Sequence, residues 1–343
     1  MSEHRAFAGL VDLASPAFGS RVRCVSDDFF ASADSLLRPE PATFDRERFT
    51  ERGKWMDGWE SRRRRGAGHD VCVLELGAPG RVLGVDIDTA YFNGNQPAFA
   101  ALEGARAEPG ADLDVLARAA YRPLFAQVPL GPSCHNYFAA ETSEVVNYLR
   151  LSIFPDGGVA RLRVYGAVEP HWGQPELDEE ARREVPPGLV DLAAAKNGGR
   201  TLACSDAHFG AMHGLIMPGR STHMGAGWET RRARQPGHER DFMIVKLAAA
   251  GRSRLVELDT QHFFGNFPDS ASVEGIDRPE ASITELIATT DWQPLLSRTK
   301  LAANTRHFLR PDAAGTARTT HVKLSIFPDG GVSRFRLWGE PDV

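Results

Sequence analysis

Cysteine is scarce in this chain. The 343 residues include four, Cys24, Cys72, Cys134 and Cys204. They are widely spaced and form no CxxC pair, so neither a disulfide framework nor a thiolate zinc site is expected, and they read as buried thiols. No stretch approaches the roughly 20 apolar residues of a membrane span. The first residues, MSEHRAFAGL, lack a basic segment followed by an apolar run, so a soluble, cytoplasmic protein is expected. Charge is also unremarkable: 40 basic against 45 acidic residues leave a formal net charge of -5. That balance points to neither disorder nor nucleic-acid binding. HExxH, GxSxG and phosphate-loop motifs are missing, and so is a tight His/Asp/Glu cluster. A metal centre, a serine hydrolase and a nucleotide enzyme therefore lack support, and no cofactor is expected.

What the chain does contain is itself, twice. LSIFPDGGVARLRVYG (151–166) returns as LSIFPDGGVSRFRLWG (324–339). Upstream, Gly58-Trp59-Glu60-Ser61-Arg62-Arg63-Arg64-Arg65 matches Gly227-Trp228-Glu229-Thr230-Arg231-Arg232-Ala233-Arg234. Asp88, Thr89, Phe92, Gly94, Asn95 and Pro97 match Asp259, Thr260, Phe263, Gly265, Asn266 and Pro268, and Ser26-Asp27 matches Ser205-Asp206. Two copies at a period near 170 residues mean a duplicated domain rather than a solenoid. The expected division is an extension (1–10), a first repeat (11–170), a linker rich in charge and proline (171–187) and a second repeat (188–343).

Short β-branched segments punctuated by Gly and Pro favour strands. DVCVLELG and RVLGVDIDTAYF read as two strands parted by Pro79-Gly80, and the repeated SIFPDGG segment reads as a hairpin. Only residues 113–120 and 283–289 suggest short helices. Each module is thus expected to be an all-β sandwich or jelly roll.

Two stretches could carry chemistry. If GWE[ST]RRxR is a strand, Glu60, Arg62 and Arg64 share one face and Arg63 the other, so guanidinium groups are available for a carboxylate on both sides. The alternative is internal ion pairs, with Glu60 and Glu229 as acceptors. At the strand end, Asp88 or Asp259 precedes a Gly-Asn turn, with Tyr91 in one copy where the other has His262. Carboxylate and imidazole together can move protons near neutral pH, or the aspartates can satisfy loop backbone. Asp27 and Asp206 read as turn-closing residues. His135 and His307 correspond only roughly and read as structural.

The paired GWE[ST]RRxR, DTxxFxGN and SIFPDGG motifs resemble those of the allantoicase family, from about Val11 to Gly339. The resemblance implies two tandem jelly rolls of the galactose-binding-like or discoidin type and a homo-oligomer. It also implies hydrolysis of allantoate to ureidoglycolate and urea in purine degradation. Glu229, Asp259 and His262 are the expected proton-moving residues, with Glu60 and Asp88 as their counterparts. Arg231, Arg232, Asn266 and Trp228, with Arg62, Arg63 and Asn95, are the expected binders. No metal is assigned. Two rival readings are a tandem carbohydrate-like binding module, which would show aromatic platforms on exposed loops, and a metal-dependent amidohydrolase, which would need clustered ligands.

Overall fold

The structure is a computed structural model describing residues 10–140, 144–170, 172, 177–312 and 317–342. The expected extension lies almost entirely outside the described residues. The chain forms two compact units, Met1–Glu169 and Pro170–Val343. In the first, β1 (Val11–Asp12), β2 (Arg21–Val25), β3 (Phe49–Thr50), β4 (Gly53–Lys54), β5 (Trp59–Glu60) and β6 (Asp70–Asp88) lead to β7 (Phe99–Ala105) and α1 (Leu113–Arg118). Then come β8 (Arg122–Pro129), β9 (His135–Ala139), β10 (Val146–Phe154), β11 (Gly158–Val159) and β12 (Arg161–Val168). The second unit opens with α2 (Glu179–Glu184), β13 (Val190–Asp191), β14 (Arg200–Cys204), β15 (Trp228–Glu229), β16 (Asp241–Asp259), β17 (Ser270–Ile276) and α3 (Ile283–Ala288). It closes with β18 (Gln293–Lys300), β19 (Arg306–Leu309), β20 (Arg318–Phe327), β21 (Gly331–Val332) and β22 (Arg334–Pro341).

Each unit is an all-β jelly-roll sandwich built round one long strand. Residues 70–75 of β6 pair with β2 and β10, whereas its second half pairs with β12 and, from Gly84 on, with β9. β16 repeats this, between β14 and β20 and then between β22 and β19. The two strands expected either side of Pro79-Gly80 are therefore one: the chain bends there without ending the ladder. Leu149, Leu151 and Ile153 are fully buried along β10, each worth about 1.5–3 kcal/mol over the exposed state.

The SIFPDGG segment is not a hairpin. Its arms, β10 and β12, do not pair with each other but flank different halves of β6, and β11 pairs with β5 on the way. The turn residues reverse the chain as expected, with Gly157 at φ +134, but long-range pairing chooses the partners. Both short helices are present, and α3 carries a capping box between Ser282 and Glu285. The expected linker is not wholly exposed, because α2 buries Ala181, and Val185 after it, in a cluster with Leu189, Leu255 and Trp338. All four cysteines are free thiols, but only Cys72 is buried and Cys134 is exposed.

Candidate active site

The two tryptophans set the site. Trp59 and Trp228 are fully buried, and each indole Nε1 donates to the carbonyl of Asp27 or Asp206, at 2.8 and 2.7 Å. That anchor seats β5 and β15, and Glu60 and Glu229 lie opposite Gly158 and Gly331. Glycine is required at these two positions: a Cβ on either would sit 1.9 Å from the ring of Phe92 or Phe263. The same rings are anchored on the loop that carries Asn95 or Asn266. Asn95 Nδ2 donates to Glu60 Oε1 at 2.8 Å, and Asn266 Nδ2 donates to Glu229 Oε1 at 2.6 Å. Both modules thus bring together a glutamate and an asparagine that the sequence singles out in separate motifs. Burial pushes the Glu60 carboxyl above its ordinary value, with the Asn95 amide opposing.

The arginines behave differently from the expectation. β5 and β15 end at the glutamate, so residues 61–65 do not alternate as a strand. Arg62 turns to Asp27, donating from its backbone N (2.9 Å) and Nε (2.6 Å), and Arg231 does the same to Asp206 (2.7 and 3.0 Å). Burial alone would raise the Asp27 and Asp206 carboxyls, but these N–H groups and the guanidinium outweigh it and hold both low. Arg64 pairs with Asp70. Internal ion pairs therefore claim much of the cluster, with aspartates rather than Glu60 and Glu229 as acceptors. Arg63 and Arg232 are exposed, and neither has an ion pair or hydrogen bond among the described residues. Arg65 and Arg234 share that state, so these four are the members of the cluster free to meet an anion.

Asp88 and Asp259 are buried and each accepts the N–H two residues on, from Ala90 at 2.8 Å and Gln261 at 2.9 Å. Asp259 is further clasped by Arg220, with Nε to Oδ2 at 3.0 Å and Nη2 to Oδ1 at 3.3 Å. Two charge-assisted contacts hold this carboxylate in one orientation. Tyr91 and His262 occupy equivalent left-handed positions, at φ +66 and +72. Tyr91 stacks on Phe44, whereas His262 Nε2 donates to the Ser221 carbonyl at 2.9 Å. In the neutral ring that bond leaves Nδ1 as an acceptor. His135 and His307 are one position out of register: His307 lies opposite Leu258, as Asn136 lies opposite Ile87, and Arg306 takes the place of His135.

Comparison with known proteins settles the family. The sequence profile described as the allantoicase repeat matches residues 11–169 and 190–342. The chain belongs to the allantoicase family. It is 42% identical over 334 residues to a probable allantoicase 1 of Burkholderia mallei, covering 97% of this chain and 95% of that one. It is 43% identical over 336 residues to a probable allantoicase of Rhizobium meliloti, covering 96% and 94%. The crystal structure of allantoicase from Saccharomyces cerevisiae superposes with a TM-score of 0.81 at 32% identity, covering 99% of this chain and 98% of that one. Exposed rings do rim the loops of both modules of this allantoicase family chain, among them Phe29, Phe44, Phe209 and Phe264, as the binding-module reading expected. The family match nonetheless favours the hydrolase. Among the described residues no three His, Cys, Asp or Glu side chains converge as a metal-binding group.

Sequence reasoning missed Arg220 and Ser221, which clasp Asp259 and His262. Both lie in residues 217–227, for which the first module has the longer, dissimilar 38–58, so the repeat carries no signal for them.

Proposed function

We propose that this chain hydrolyses allantoate to ureidoglycolate and urea, in purine degradation, at the loop ends that carry the Glu–Asn pairs. The observation that carries the siting is the Glu229–Asn266 bond and its copy at Glu60–Asn95. A carboxyl beside a carboxamide can hold a ureido group, accepting from its N–H while the amide N–H donates to its oxygen. Exposed Arg232 or Arg63 supplies positive charge that draws the anionic substrate towards the loop ends.

In the reaction we infer, the Glu229 carboxyl gives its proton to the departing ureido nitrogen. The C–N bond breaks and urea leaves, while the lone pair of the remaining ureido nitrogen forms a C=N bond. Water adds to that carbon and loses a proton to the Glu229 carboxylate, which restores the acid and gives ureidoglycolate. Asp259, an anion clasped by Arg220, supplies negative potential for the cationic intermediate. His262, with Nε2 on the Ser221 carbonyl and Nδ1 left as an acceptor, can orient the attacking water by a hydrogen bond.

Urea release from allantoate tests this. Glu229→Gln, folded by circular dichroism, is expected to lose most turnover, and full turnover would refute the siting. Replacing His262 by Asn separately tests its role. The family resemblance implies a homo-oligomer, which light scattering measures. Four free thiols support a reducing compartment such as the cytoplasm.

A further inference from the structure

The two modules hold the same buried arginine in almost the same cage. In the first, Arg161 donates from Nε to the Glu40 carbonyl (2.9 Å) and from Nη1 to the carbonyls of Asp57 (3.0 Å) and Ala160 (2.8 Å). In the second, Arg334 donates from Nε to the Gly219 carbonyl (3.0 Å) and from Nη1 to those of Ala226 (2.8 Å) and Ser333 (2.7 Å). The cages differ at one nitrogen. Arg161 Nη2 meets the Asp57 carboxylate at 2.8 Å, but the residue in Asp57's place is Ala226, and Arg334 Nη2 has no acceptor among the described residues. That nitrogen is not one of the sealed, unpartnered atoms, so solvent reaches it.

The surroundings differ in the same sense. The first module fills this region with an apolar plug of Ala42, Met56, Phe92 and Ala160, with Ala90 against it. In the second, Gln261 stands for Ala90, Ser333 for Ala160 and Gly225 for Met56. Ser333 Oγ donates to the Gln261 carbonyl, while the Gln261 side-chain Oε1 is buried and unpartnered. A buried acceptor without a donor is unfavourable until something fills it. Residues 217–227 connect this region to the Glu–Asn pair: Met224 Sδ accepts from Asn266 Nδ2, and two residues on Ala226 holds Arg334. One short segment therefore touches a free cationic donor, an orphan amide acceptor's neighbours and Asn266, the glutamate's partner. Burial and the nearby Arg336 lower the Arg334 guanidinium to about 10, against the pull of Asp259, as befits a cation short of compensating charge.

We propose that the second module alone holds the substrate, its carboxylate received by Arg334 Nη2 and a ureido N–H by Gln261 Oε1. This rests on the loop ends being the allantoate site and says which copy acts. A carboxylate with ureido N–H groups matches the two unfilled valences, and the plugged first module offers neither.

The test is to give the second module the carboxylate that the first already has. Ala226→Asp, shown folded by circular dichroism and melting temperature, is expected to raise KM for allantoate about 10- to 100-fold with little change in kcat, the loss of a charged hydrogen bond. Gln261→Ala is expected to raise KM about 3- to 10-fold. Glu229→Gln run alongside is expected to lower kcat. A folded Ala226→Asp with wild-type KM overturns the inference even if Glu229→Gln is inactive, in which case the siting survives without it. If Ala226→Asp does not fold, Gln261→Ala decides, and an unchanged KM overturns it. Full turnover in Glu229→Gln overturns the siting instead.

Discussion

At one point in each sandwich the modules make opposite choices. In the first, His135 Nδ1 lies 2.8 Å from Asp86, its side chain 56% exposed, and its ring stacks on Tyr137. In the second, Arg306 occupies that position with a side chain only 7% exposed, bound to Glu257 at 2.7 Å and to both oxygens of Asp178. Trp338 also donates to Glu257, and α2 packs over the same face through Ala181. Burial would lower the Arg306 guanidinium, but Glu257 and Asp178 outweigh it and hold it charged. Duplication has thus kept the strands and let the faces part: one copy is locked by fixed charge under the chain's own helix, the other left open with a titratable ring.

That contrast is broken most directly by Arg306→Gln. It strands a carboxylate that is 2% exposed, so the second module should lose about 3–5 kcal/mol in urea unfolding. His135→Gln removes a partner that water can replace and should cost less than about 1 kcal/mol. Equal losses would mean that the two faces are energetically alike.

The glutamates sharpen the comparison at the chemistry. If proton transfer belongs to the second module, Glu229→Gln should lower kcat about 100-fold or more, the range for a lost general acid. Glu60→Gln should cost at least about tenfold less. Matching losses in urea release would show two working sites.

The repeat made much of this legible and hid a definite part. Recurrence of LSIFPDGG paired Gly158 with Gly331, and recurrence of GWE paired Glu60 with Glu229, so the glutamates and asparagines could each be singled out, though not the bond between them. Partners remote in sequence could not. Asp27 lies 35 residues from Arg62, and β10 and β12 look like a hairpin until β6 is seen between them. Nor could Arg334 be singled out, since Arg161 matches it letter for letter. What separates them is Asp57 against Ala226, a difference in the least similar segment of the repeat.

A pH-dependent contrast comes next in size. Burial pushes the Asp12 carboxyl up from 3.8 to about 6, despite N–H donors from Val164 and Ala14 and the nearby Arg163 guanidinium. A native value above the unfolded one means the folded state holds the proton more tightly. Stability from this group is therefore full below about pH 4 and falls as pH rises through about 6. Asp12→Asn retains an oxygen for both N–H donors and cannot ionise. It should be more stable than wild type by about 1–3 kcal/mol at pH 8, with the gap closing near pH 4 in urea melts. A gap independent of pH would rule out ionisation as its cause.

The smallest effect is expected where the copies use different residues for one job. His307 Nδ1 donates to the Leu258 carbonyl at 3.0 Å, and its Nε2 accepts from Ala302 N at 2.9 Å. In the first module Asn136 donates to the Ile87 carbonyl at 2.9 Å and accepts from Gly131 N at 2.8 Å. A carboxamide and a neutral imidazole place a donor and an acceptor at similar separation, so each can bridge a strand carbonyl and a loop amide. His307→Asn should accordingly change unfolding free energy by less than about 1 kcal/mol and leave urea release intact, because both hydrogen bonds survive. His307→Leu, which offers neither, should cost about 2 kcal/mol or more by leaving the carbonyl and amide unpaired. If Asn proves as damaging as Leu, the imidazole has a role beyond bridging, and His307 would become a candidate for proton transfer.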